Sequence, residues 1–257
     1  TAPAWPGSAG KKPGNRPDPG PTAGRTFFSF PFPTDSLESG PTNSIKETMI
    51  RIKISVLAVF AAALLFTDTA EAAKKWQPKL GIQSWSCRNM SFEQVMKFAK
   101  HNKIEYLQLI GKHIDPLGSR EDTLAKKKAL AAAGLTCYTF GVTRTYDTKE
   151  ENRRLFEFAK LMGIKLIVVE PKKMEQWDNL EELVKEYDIK LAIHNHGHSS
   201  TYGTPEKVWA VIGKRDQRIG VCVDIGHLSG AGFDVAEAFV NYKGRVYDFH
   251  VKDKQVE

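Results

Sequence analysis

Cysteine is scarce in this sequence, with three residues (Cys87, Cys137 and Cys222) in 257. The number is odd, and Cys137 and Cys222 fall inside runs that read as strands. Buried thiols are therefore expected rather than a disulfide framework. No apolar run approaches the roughly twenty residues that a membrane-spanning helix needs. The net charge of +7 is scattered, and Lys126, Lys127 and Lys128 form the one run of three. They lie on a predicted helix, whose solvated face accounts for them. Basic and aromatic residues do not interleave as on a nucleic-acid platform, so no nucleic-acid partner is expected. A G-x-G-x-x-G turn after an early strand is also missing, which argues against a doubly wound nucleotide-binding sheet.

What is present divides the chain into three. Residues 1–48 are rich in Pro, Gly, Ser and Thr and have no apolar repeat. Such a segment cannot bury enough surface to offset its ordering entropy and reads as disordered. Met49, Arg51 and Lys53 then precede a run of thirteen residues, Ile54 to Phe66, whose one polar member is Ser55; Ala70-Glu71-Ala72 follows. A positive start, a short apolar run and an A-x-A site describe a signal peptide over 49–72, with Met49 as the true start and 1–48 as upstream sequence translated in error. The expectation is an exported protein, periplasmic or secreted, with no stable membrane insertion once the signal is cleaved.

From residue 73 onward one rhythm repeats. Strand candidates are Leu80–Trp85, Tyr106–Ile110, Thr136–Val142, Lys165–Glu170, Ile189–His196, Ile219–Ile225 and Val246–Val251, their starts 24 to 30 residues apart. Helices fill the gaps. Ser91-Phe92-Glu93-Gln94 is a capping box, and Gly134 and Gly163 sit where helices should stop. Thr204-Pro205 opens another helix, with Pro at its first position. Strands such as KLIVVE and IGVCVDI are apolar nearly throughout, as in a parallel sheet covered on both faces. The alternation predicts an α/β fold, a (β/α)8 TIM barrel truncated after its seventh strand, since Glu257 follows that strand closely.

In such a barrel the chemistry collects at the C-terminal ends of the strands. The first three strands end in Gln83, Ser84, Gln108, Tyr138 and Thr139, which offer little that titrates near neutrality. The last four end in Glu170, in His194 and His196, in Asp224, and in His250 followed by Lys252. Period-two alternation puts His194 and His196 on one face, Cys222 with Asp224, and Asp248 with His250 and Lys252. A mixed nitrogen and oxygen set of this density suits a divalent cation such as Mn, Zn, Mg or Co. Taken singly, each His is more often a hydrogen-bonded residue than a ligand, and Asp224 could simply cap the next helix; the coincidence at four strand ends carries the metal reading. Trp85, at the end of strand one, is placed either against a sugar face or in the core.

LAIHNHG (191–197), VCVDIGH (221–227) and FHVKD (249–253) also occur in an order and spacing that resemble the xylose-isomerase-like barrel superfamily. That group includes sugar and sugar-phosphate isomerases and epimerases, inosose dehydratases and endonuclease IV type repair enzymes. The resemblance covers Lys79 to Lys254 and implies one divalent ion, held by a strand-five Glu, a strand-six Asp, a strand-seven His and a strand-eight Glu. Asp224 and His250 match the middle two. His194 stands where the first Glu is usual, and the strand-eight Glu has no counterpart. Those two Glu residues are also the family's acid/base pair, so this chain would need a substitute. Glu170 and His196 are the candidates for catalysis, His194, Asp224 and His250 for the metal, and His227, Lys252 and Trp85 for substrate. The reading is a metal-dependent isomerase or epimerase of a small-molecule carbohydrate; a dehydratase or lyase of the same family and a non-catalytic sugar-binding barrel are the alternatives. A homo-oligomer is left open.

Overall fold

The computed structural model describes residues 79–252. The segments read as disordered (1–48) and as a signal peptide (49–72), together with Asp253, lie outside the described residues. Among the described residues no helix is long and apolar enough to cross a membrane.

Seven parallel strands form one sheet in consecutive order: β1 (Gly81–Gln83), β2 (Tyr106–Leu109), β3 (Thr136–Thr143), β4 (Leu166–Val169), β5 (Lys190–His194), β6 (Ile219–Asp224) and β7 (Val246–His250). Between them run α1 (Phe92–His101), α2 (Arg120–Ala132), α3 (Lys149–Met162), α4 (Gln176–Tyr187) and α5 (Pro205–Ile212), with the short α6 (Ile225–Gly230) and α7 (Val235–Asn241) both preceding β7. All these helices but α4 begin where a side chain caps them. Ser91 and Gln94 form the expected capping box, and Ser119, Thr148, Thr204 and Asp234 each accept a first-turn N–H. The stop of α3 is Gly163 at φ +83°, a left-handed turn that glycine takes without strain.

Two apolar layers explain why β4, β5 and β6 are buried nearly throughout. Ile167, Val169, Leu191, Ile193, Val221 and Val223 face outward onto the helices, against residues such as Phe156, Trp177 and Leu183. Leu166, Val168, Ala192 and Cys222 face inward and pack with Val142 and Tyr247. All three cysteines are buried free thiols. The sheet curls far enough for Gln108 of β2 and Tyr138 of β3 to hydrogen-bond Asp248 of β7, four or five strands away in the order. This is a TIM barrel in its curvature and strand order, with seven strands in place.

One irregularity decides what lines the interior. Val221 pairs with Val246, but Cys222 pairs with Asp248, leaving Tyr247 as an extra residue in β7. Val246 packs on the outer layer and Tyr247 on the inner one. Strict alternation from there would turn Asp248 and His250 outward; the bulge resets the pleat and returns both to the lumen.

Close approach of backbones fixes one further position. A Cβ on Gly220 would lie 2.2 Å from the Arg245 carbonyl oxygen on the neighbouring strand. Gly220→Ala must push β6 and β7 apart, and the expected cost is about 1–3 kcal/mol, read as a lower urea midpoint.

Candidate metal centre

Each strand end delivers its side chain for a local reason. Glu170 follows the last residue of β4, and the segment after it is held by the Tyr202 hydroxyl, which donates to the Pro171 carbonyl at 2.6 Å and accepts from Trp177 Nε1 at 3.1 Å. Asn195 clamps the next two strands, donating to the Asp224 carbonyl at 3.1 Å and accepting its N–H at 2.8 Å. Asp224 ends β6 and caps α6, its Oδ1 accepting the His227 N–H at 2.9 Å. The capping role weighed from sequence is thus real, and it leaves Oδ2 free to face the lumen.

That oxygen is the hub. Asp224 Oδ2 lies 3.3 Å from His194 Nε2, 2.9 Å from Lys252 Nζ and 3.8 Å from His250 Nδ1. On the other side of His194, Nδ1 stands 3.6 Å from Glu170 Oε1, beyond hydrogen-bond range, and Glu170 in turn bonds His196 Nδ1. The rings of His194 and His250 are 4.8 Å apart, and those of His196 and His227 also 4.8 Å. Two groups of potential ligand atoms, each within 4.8 Å, share His194: Glu170, His194 and His196, and His194, Asp224 and His250.

The electrostatics describe a site short of positive charge. Burial opposes ionisation of Asp224, but His194, the His227 N–H and Lys252 hold its carboxyl far below the usual carboxylate range. Glu170 is held below its ordinary value in the same way, His194 and His196 outweighing desolvation. His194 is buried, which works against its protonation, yet the flanking Asp224 and Glu170 hold its pKa above the ordinary value. Burial pushes His250 and His227 down to about 4. Ionised carboxylates beside the neutral imidazole of His250 suit a divalent cation, which would also compete with the proton that Asp224 and Glu170 favour on His194. Nδ1 of His194 is buried, makes no hydrogen bond and has Glu170 Oε1 at 3.6 Å beside it. The residues present therefore fit a cation.

The remaining sequence-derived candidates lie less centrally. His227 sits on α6 with its own Nδ1 buried and unpartnered. Lys252 is paired with Asp224 instead of standing free for substrate. Trp85 is not in strand one: β1 ends at Gln83, Trp85 lies in a 3-10 turn, and it is 58% exposed with the Arg88 guanidinium 5.4 Å from its ring. Core packing is excluded for it. The strand ran short because Ser84, which follows β1, turns inward to hydrogen-bond Ile110 N and His113. Sequence reasoning passed over Gln108, Tyr138 and Asp248, which form a polar layer beneath the histidines. Gln108 carried a local signal, a polar residue in the largely buried β2, whereas no residue of β7 is buried and Asp248 carried none.

A curled parallel sheet with carboxylates and imidazoles at the C-terminal ends of its last four strands defines a TIM-barrel protein with an enzyme-like site. Residues 96–257 match the family described as Xylose isomerase-like TIM barrel, and the chain belongs to that family. Among solved structures it is similar to an uncharacterized protein from Parabacteroides distasonis (27% identity, TM-score 0.57, 68% of this chain and 75% of that one). It is also similar to the probable 3-DHS dehydratase AsbF from Bacillus anthracis (16%, 0.56, 67% and 72%) and to the 3-keto-D-glucoside 4-epimerase YcjR from E. coli (15%, 0.55, 69% and 80%). Comparison with the sequences of curated proteins gives no match.

Proposed function

We propose that this protein is a metal-dependent isomerase or epimerase of a sugar or sugar derivative. The observation that carries the reading is the pair of ligand-spaced groups that share the buried His194, one with Glu170 and His196 and the other with Asp224 and His250. His194, Asp224 and His250 would hold the cation. A divalent ion held by them would supply Lewis acidity toward a carbonyl or hydroxyl oxygen of the substrate.

The proton falls to a pair that the family pattern does not supply. Glu170 binds His196 at Nδ1, so the carboxylate holds that N–H and Nε2 is the nitrogen left to act as a base. His196 is partly exposed, unlike His194, and so can meet a substrate. Nε2 would take the proton from the carbon beside the carbonyl, with Glu170 stabilising the imidazolium, and return it to the former carbonyl carbon while the hydroxyl proton moves to the former carbonyl oxygen, which completes an isomerisation. An epimerisation would need a second acid on the opposite face. His227 lies beside Asp224 to receive substrate hydroxyls, Lys252 is engaged by Asp224, and Trp85 offers an exposed ring. A family neighbour named as a dehydratase shares the fold, and loss of a hydroxyl β to the carbonyl would begin with the same proton abstraction. The signal-peptide pattern supports an exported enzyme, and with it a free sugar or glycoside as substrate.

Metal analysis of the purified chain, then incubation with a panel of sugars in D2O, tests the reading. Solvent deuterium at a carbinol carbon is expected. Metal without turnover would leave only a binding barrel, and absence of metal would sink the reading. Glu170→Gln should lower turnover by about 10²–10⁴-fold, the usual range for a positioned acid/base group; unchanged activity and metal content would remove Glu170 from the site.

A further inference from the structure

The polar layer beneath the candidate ligands is directional. The Phe249 N–H donates to Asp248 Oδ1 at 2.9 Å, and the Tyr138 hydroxyl donates to the same carboxylate at 3.2 and 3.3 Å. Gln108, 1% exposed, places Nε2 at 3.1 Å from Asp248 Oδ2 and Oε1 at 2.7 Å from His250 Nε2. The amide has one way round. Turned over, it would set oxygen against a carboxylate oxygen and lose a hydrogen bond in a buried place. Its Oε1 is therefore the acceptor, and His250 Nε2 must carry the hydrogen. The lone pair is left on Nδ1, the nitrogen that faces Asp224 Oδ2 at 3.8 Å.

We infer that Asp248, acting through Gln108, is a positioning residue that locks His250 as its Nε2–H tautomer and so presents Nδ1 to the cation. The inference rests on the metal reading above. Metal-binding histidines are commonly fixed by an outer carboxylate or carbonyl; here an amide is interposed, and it carries the preference of the carboxylate one residue further. Asp248 also groups with Cys222 and His250 at ligand spacing. Both its oxygens are already taken by Tyr138, Gln108 and Phe249, so it supports the site and does not ligate. The β7 bulge serves this arrangement, because it turns Asp248 and His250 inward together.

The test uses the full chain labelled with ¹⁵N-histidine, at about pH 8, before and after Mn²⁺ is added. Long-range ¹H–¹⁵N correlation distinguishes the tautomers, and the His250 signal is identified by its loss in His250→Gln. Wild type is expected to show Nε2–H. In Asp248→Asn the Phe249 N–H still holds Oδ1, so the new amide offers a donor to Gln108, which must turn over and present its own NH2 to His250. The tautomer should switch to Nδ1–H, and Mn²⁺ affinity, followed by the electron spin resonance of the free ion, should fall about 10–100-fold. Combining Gln108→Glu with Asp248→Asn exchanges amide and carboxylate and restores an acceptor for His250 Nε2. Recovery of both tautomer and affinity is expected, whereas a role in packing alone would make the double variant worse. Nδ1–H in the wild type, or no recovery in the exchange, would overturn the inference alone. A wild-type chain that binds no Mn²⁺ would overturn the metal reading and the inference with it.

Discussion

Asp224→Asn is expected to destroy the cation site and to lower folding stability by about 3 kcal/mol, the scale for breaking a buried charge pair. The residue is 1% exposed, and its Oδ2 is shared by His194 Nε2 and Lys252 Nζ. The substitution keeps the shape and leaves Oδ1 able to cap α6, so the chain should fold with its loop after β6 in place. What is lost is the negative charge that His194 and Lys252 face. Lys252 is exposed and can swing to water; His194 is buried and loses the carboxylate that favours its charged form. The stability loss therefore falls at the lower end of the 3–5 kcal/mol range, while Mn²⁺ affinity should drop by at least about 100-fold, as expected when a charged ligand is removed outright and not merely an outer partner. Urea denaturation and metal content after dialysis measure the two effects separately. Unaltered metal content in a folded variant would eliminate Asp224 as a ligand and with it the hub of the proposed centre.

The middle of the sheet was legible in the sequence because β4, β5 and β6 are buried on both faces. KLIVVE and IGVCVDI leave no room for another interpretation, and the strand ends carry side chains too polar for a core. Boundaries were legible where chemistry marks them, as at the Ser91 capping box and at Gly163. The first strand was not, because nothing in GIQSWS shows that Ser84 turns inward to bond Ile110 N and His113, and this throws Trp85 out to solvent. The inward facing of His250 was inferred correctly from its parity with Asp248, although β7 reaches that parity only through the extra residue at Tyr247. Bulges depend on pairing between strands and leave no local trace. The layer of Gln108, Tyr138 and Asp248 was missed for a related reason. Its members come from β2, β3 and β7, and only the curl of the sheet brings them together.

That layer predicts an unusual acid response in the metal-free chain. Burial of His250 moves its pKa from 6.5 to about 4. Between those values the unfolded chain takes a proton that the folded chain refuses, so the stability that neutral His250 contributes is complete above 6.5 and lost as pH falls toward 4. Asp248 works the other way. Burial raises its carboxyl from 3.8 to about 6, so over that interval the folded chain keeps a proton that the unfolded chain gives up. Its penalty is greatest above pH 6 and disappears as pH falls toward 3.8. At about 1.4 kcal/mol per pH unit each amounts to roughly 3 kcal/mol, and the two oppose one another over nearly the same range. His227, also near 4, adds to the His250 effect, but solvent reaches it and its share is smaller. The raised His194 acts above pH 6.5, where stability is lost as pH rises through its folded value, and the depressed Asp224 acts below 3.8. Wild type should therefore lose little stability between pH 6.5 and 4.5 in the presence of a chelator. Asp248→Asn removes the compensating half and should become acid-labile by about 2–3 kcal/mol over that interval, while His250→Gln should grow more stable on acidification by a similar amount. Urea midpoints at the two pH values decide it. Parallel pH profiles for wild type and Asp248→Asn would mean that Asp248 is ionised in the folded protein across the whole range.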